Sequence, residues 1–94
     1  MFKLKSNFIV NPFNNEDGKL EIVDLETNGV YTLNEISKLI FENINLGKSE
    51  ILNIISNNYD INIDEIENEI SIHIQNLISV FFEKDDDVDD HGTF

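Results

Sequence analysis

His73, His91 and the run Asp85-Asp86-Asp87-Val88-Asp89-Asp90 are the residues with the most obvious chemical reach in this sequence. A histidine titrates near neutral pH or ligates a metal, and alternating aspartates are the raw material of a calcium loop. Neither chemistry finds the spacing it needs. Asp85, Asp87 and Asp89 stand at calcium-loop intervals, but Asp90 occupies the position that requires glycine, and the glycine comes at Gly92. His73 has no second histidine at helical spacing. Cysteine is absent, which removes thiolate zinc sites, disulfides and cysteine nucleophiles together. The expectation is no metal site and a His73 that is packed or lines a groove.

Catalysis has as little to stand on. There is no glycine-rich phosphate loop and no histidine pair, and 19 acidic residues on so small a chain are solvated surface groups rather than a poised acid and base. The acidic helical composition suggests an acyl carrier protein only superficially, since the Asp-Ser-Leu attachment motif is missing and the first third reads as strands. The sequence therefore reads as non-catalytic, with no catalytic residues and no cofactor.

What remains is backbone chemistry, and it concentrates in Thr27-Asn28-Gly29-Val30-Tyr31-Thr32-Leu33-Asn34-Glu35. Asn28-Gly29 suits a two-residue type I′ turn, so the segments on either side should pair antiparallel, with Val30 to Leu33 as a strand. Thr32 with Glu35 fits a capping box, and Asn34 is an equally good N-cap, so a helix should start at once afterwards.

The elements around this seam follow from period and punctuation. Phe8 to Phe13 and Lys19 to Leu25 carry strand patterns, separated by turn residues Asn14 to Gly18. Pro12 cannot donate to a ladder, so the first strand should end near Asn11 or lie at an edge. The result is a three-stranded antiparallel meander whose central strand is the second, leaving one edge on Val30 to Leu33. From Asn34 the period becomes helical through Ile36, Leu39, Ile40 and Ile44, stopped at Asn45-Leu46-Gly47. Ser49 should cap a second helix that ends at Asn57 to Asp60. Asp64 with Glu67 should box the start of a third, whose main stripe is Ile66, Ile70, Ile74, Leu77 and Phe81, with His73 and Val80 on one shoulder and Ile78 and Phe82 on the other. The fold class is α+β and winged helix-turn-helix-like: a three-stranded antiparallel sheet followed by three helices. Residues 1–84 form the domain and 85–94 an acidic tail too poor in apolar residues to fold alone.

Size and charge restrict the partners. The 94 residues close one core, and a formal charge of −13 without a single arginine repels polyanions. Nucleic acid is excluded even though the topology invites it, because the second helix offers only Lys48 as a cation. No apolar run reaches membrane-spanning length and Met1 to Lys5 leads into no signal-peptide core, so no membrane is involved and a cytoplasmic chain is expected.

Several fragments in order carry a family resemblance: Gly29 to Glu35, Ile40-Phe41, Lys48-Ser49-Glu50-Ile51, Tyr59-Asp60-Ile61, and Glu69-Ile70 with His73-Ile74 and Leu77. Together they resemble the PqqD-like family over roughly Phe8 to Phe82, Tyr-x-Leu-Asn-Glu being the most distinctive piece. The resemblance implies a RiPP recognition element, a non-catalytic adaptor that holds the leader of a ribosomally synthesised precursor peptide and presents it to a modifying enzyme. Radical SAM maturases, leader peptidases and cyclases are enzymes of this kind. It implies a leader added as a strand along Val30, Tyr31, Thr32 and Leu33, with its side chains in a cleft lined by Ile66, Ile70, His73, Ile74 and Leu77. Two features depart from the family: an aromatic residue often stands where this chain has His73, and helix three commonly ends in Gly-Leu rather than Phe81-Phe82. The competing reading is a winged-helix regulator or structural interaction domain that dimerises through the same groove. An unfilled edge strand can also pair with its twin, which leaves a homodimer open.

Overall fold

The computed structural model describes residues 1–11 and 18–85. The expectations for Pro12, for most of the first turn, and for His91 and the tail beyond Asp85 lie outside these residues.

Strands β1 (Phe2–Leu4), β2 (Phe8–Val10), β3 (Leu20–Asp24) and β4 (Val30–Leu33) precede helices α1 (Glu35–Glu42), α2 (Lys48–Tyr59) and α3 (Ile63–Phe81), and β5 (Phe82–Lys84) follows. The three-stranded sheet runs β2-β3-β4, antiparallel throughout, with β3 in the centre. Its registers align Ile9 with Val23, Ile22 with Tyr31, and Val23 with Val30. Side chains alternate along β3, so Leu20, Ile22 and Asp24 turn inward. The inward apolar residues share one buried cluster with Ile40, Ile51, Ile55, Ile70, Ile74 and Leu77 from the three helices.

The β3–β4 turn differs from the expected type I′ form. Asn28 is left-handed at φ 63°, but Gly29 is not among the residues with positive φ. Asp24 N–H donates to the Gly29 carbonyl and Asn28 N–H to the Asp24 carbonyl, each at 2.8 Å, so the loop spans residues 25–28. The cause is Asp24. Its carboxylate accepts Glu26 N–H at 2.9 Å and Asn7 Nδ2 at 3.1 Å, building an Asx turn that a two-residue loop has no room for. These hydrogen bonds, Asn7 first, hold its carboxyl below the ordinary carboxylate value.

The helix starts also move. Asn34 is the cap of α1, its Oδ1 accepting Ser37 N–H at 2.9 Å. Ser49 does not cap α2; a 3-10 turn at Ile44–Leu46 delivers the chain to Gly47, whose φ of 92° suits glycine, and the helix begins at Lys48. Asp64 does not cap α3 either, because Asn62 accepts Asp64 N–H at 3.1 Å and the helix opens at Ile63. The short run Ile61-Asn62-Ile63 looks strand-like in sequence and conceals that cap.

A second, two-stranded sheet joins β1 to β5, pairing Phe2 with Lys84 and Leu4 with Phe82. Its β1 strand is further tied to the Asn45 side chain, which accepts Phe2 N–H at 2.7 Å and donates to the Phe2 carbonyl at 3.0 Å. The α+β class and the order of sheet then helices stand. The winged-helix comparison is loose, since the sheet precedes the helices and β5 pairs with β1. Among the described residues, no helix is long and apolar enough to cross a membrane.

Candidate functional site

Strand β4 ends the sheet, and among the described residues no strand pairs with its outer edge. Antiparallel pairing alternates, and the Asp24–Gly29 bond fixes its phase. Tyr31 and Leu33 therefore exchange backbone bonds with β3, whereas the N–H and C=O groups of Val30 and Thr32 face the open edge. Side chains follow the complementary rule. Tyr31 and Leu33 turn toward the helices and Val30 and Thr32 toward the outer face, in line with the partners Ile22 and Leu20 being buried.

Leu33 is buried, but Tyr31 keeps 41% of its surface although it faces the core side. Its ring meets Phe81 at the end of α3 edge-on, centroids 5.2 Å apart, and Phe8 at 6.0 Å; Phe8 and Phe81 close the trio at 5.0 Å. Such T-shaped contacts fix ring orientation as well as burying area. Tyr31, part-exposed and in contact with Phe81, thus borders the surface between β4 and the last turns of α3, the cleft side of the sheet.

The second fixed point is His73. Its Nε2 lies 2.6 Å from Ser37 Oγ, and Ser37 is only 5% exposed. Ser37 sits one turn into α1 on the buried face that also carries Ile40, a polar residue in an apolar stripe, and His73 satisfies its hydroxyl. Together the two contacts set β4 and the start of α1 beside the C-terminal half of α3.

The stripe residues divide accordingly. Ile70, Ile74 and Leu77 are buried in the core and Ile66 is partly buried against it. Ile66 and Ile70 belong to the first half of α3, which the Lys48–Glu67 ion pair at 3.3 Å ties to α2. Val80, 43% exposed, lies about 20° around the helix from His73 and so shares its shoulder. Val80 lies on this surface and the buried Ser37 and Phe81 support it from below, and none of the three is read as a site residue from the sequence. The signals available were Ser37's place in an apolar stripe and Val80's shared shoulder.

A separate concavity of about 370 Å³ is lined by Gly18, Glu35, Lys38, Leu39, Glu42, Asn58 and Tyr59. Burial first and Glu35 second push the Tyr59 phenol above its usual value. Among the described residues no group of three or more histidine, aspartate or glutamate side chains is placed to hold a metal ion.

The fold and this site define a small α+β domain with an open sheet edge set beside an aromatic-ended helix. The family model for coenzyme PQQ synthesis protein D (PqqD) matches residues 21–80, from β3 to the last turn of α3, and the chain belongs to that family. Among solved structures, the fold is similar to one described as TbiB1 in complex with the TbiA(beta) leader peptide. The TM-score is 0.63 at 15% sequence identity, covering 82% of this chain and 88% of that one. At that identity the likeness is one of fold. Comparison with curated protein sequences gives no match.

Proposed function

We propose that this chain is a RiPP recognition element: it binds the leader of a ribosomally synthesised precursor peptide as an added strand on β4 and presents the rest of the peptide to a modifying enzyme. The observation that carries this reading is the open edge of β4, with Val30 and Thr32 backbone groups directed outward next to a cleft. Membership of the PqqD family and the leader complex of the structurally similar TbiB1 support it.

In this reading the Val30 to Leu33 backbone supplies affinity through ladder bonds. Specificity comes from the part-exposed Tyr31 and His73, with Ile66 further along α3, while Ile70, Ile74 and Leu77, buried beneath them, hold the helix in place. The domain performs no chemistry itself and needs no cofactor; the partner enzyme, a radical SAM maturase, leader peptidase or cyclase, does the work. The test is an anisotropy titration of labelled leader segments from candidate precursors against the wild-type domain. Saturable binding at micromolar or tighter affinity supports the reading, and a folded domain that binds no leader contradicts it.

A further inference from the structure

The outer face of the sheet carries two cross-strand rows of opposite character. Ile9, Val23 and Val30 are aligned by both registers into an apolar row, with Ile9 46% and Val30 56% exposed. Two residues along, Asn11, Glu21 and Thr32 form a polar row: Glu21 pairs with Thr32, Asn11 N–H donates to the Glu21 carbonyl at 2.9 Å, and Asn11 Nδ2 donates to Glu21 Oε1 at 2.7 Å. Both rows run straight to the open edge of β4, where Val30 ends one and Thr32 the other. Single exposed apolar residues are ordinary on a protein surface, but three in cross-strand register form one continuous strip.

We infer that the outer face selects the bound peptide: the residue seated beside Val30 is apolar and the one beside Thr32 is polar. This inference rests on the strand-addition reading above. A strand added to β4 continues each row by one side chain, because residues opposite Val30 and Thr32 point outward and those opposite Tyr31 and Leu33 point into the cleft. The sheet is antiparallel throughout, so the added strand is taken as antiparallel too. Its sequence then reads apolar beside Leu33, polar beside Thr32, apolar beside Tyr31 and apolar beside Val30. The doubled apolar step at the Val30 end sets the register, since a slip of one residue would seat a polar side chain in the cleft.

The probe is a phage-displayed library of random linear peptides selected against the whole domain and against Val30→Glu. Amide spectra check that the variant is folded, as expected for a substitution at an exposed edge position. The wild type is expected to enrich peptides with the four-residue pattern, and Val30→Glu to exchange the apolar preference at the last position for lysine while the two cleft positions keep theirs. Cross-strand pairs of this kind change affinity by up to about fivefold, so a selected peptide should lose about that factor when its last apolar residue is replaced by aspartate. Enriched peptides that share only the cleft positions, with no outward preference and no response to Val30→Glu, overturn the inference but leave strand addition standing. No enrichment by the folded wild type overturns the peptide-binding reading as well.

Discussion

The ring of Tyr31 stands edge-on against that of Phe81, centroids 5.2 Å apart and planes at 89°. One residue is half open on the edge strand and the other is buried at the end of α3. This contact joins the strand that offers its backbone to the helix that walls the cleft, and the two residues should respond differently to truncation. Phe81→Ala removes a core aromatic and should cost about 3–5 kcal/mol of stability. Tyr31→Ala should cost about 0.5–1.5 kcal/mol for the lost ring pair, plus its smaller burial, while weakening peptide binding. Urea unfolding of both variants, with a peptide titration of Tyr31→Ala, checks the split.

Thr32→Pro tests the edge itself. The Thr32 N–H faces away from β3, and proline is tolerated on an edge strand in that orientation. The domain should stay folded while peptide affinity falls about two- to tenfold, the worth of one hydrogen bond. Tyr31→Pro, whose N–H faces β3, should instead destabilise the sheet.

Ser37 and His73 should behave as a unit. Either Ser37→Ala or His73→Ala breaks the 2.6 Å contact at a cost of about 1 kcal/mol. Because they share it, the double variant should be less destabilised than the sum of the two. His73→Phe keeps a ring on the cleft shoulder but loses the polar edge, and the expected outcome is reduced affinity for the leader.

Asp24 makes the fold acid-sensitive. Its carboxyl is held below the ordinary 3.8 by Asn7 and the Glu26 N–H. A lowered folded value means that its stabilisation is present above 3.8 and is lost as the pH falls through the folded value. The melting temperature of the wild type should therefore exceed that of Asp24→Asn at neutral pH, and the gap should narrow in acid below 3.8. Thermal melts of both proteins across that range provide the check.

The meander and the three helices were legible because each has a local signature. Apolar residues alternate along Leu20 to Asp24, and the stripe of Ile70, Ile74 and Leu77 has the helical period. The open edge was legible too, since strand order follows from a short hairpin at the end of a meander. The turn type was not, because the Asp24 side chain builds the loop and nothing in Asn28-Gly29 announces it. The β1–β5 ribbon joins three-residue strands from opposite ends of the described chain, a pairing with no local signal. Within the cleft, Tyr31 and His73 could be nominated from strand position and helix shoulder. That Ser37 and Phe81 meet them depends on how α3 crosses the sheet, which periodicity does not specify.

The most direct test of leader binding by strand addition is a titration of isotope-labelled domain with the leader segment of a precursor peptide, following every backbone amide. Strand addition predicts the largest shifts and new exchange protection at Val30 and Thr32, whose amides face the open edge, with smaller shifts at Ser37 and from His73 to Phe81. Shifts that leave β4 untouched while the peptide binds elsewhere, such as the cleft around Tyr59, would contradict it.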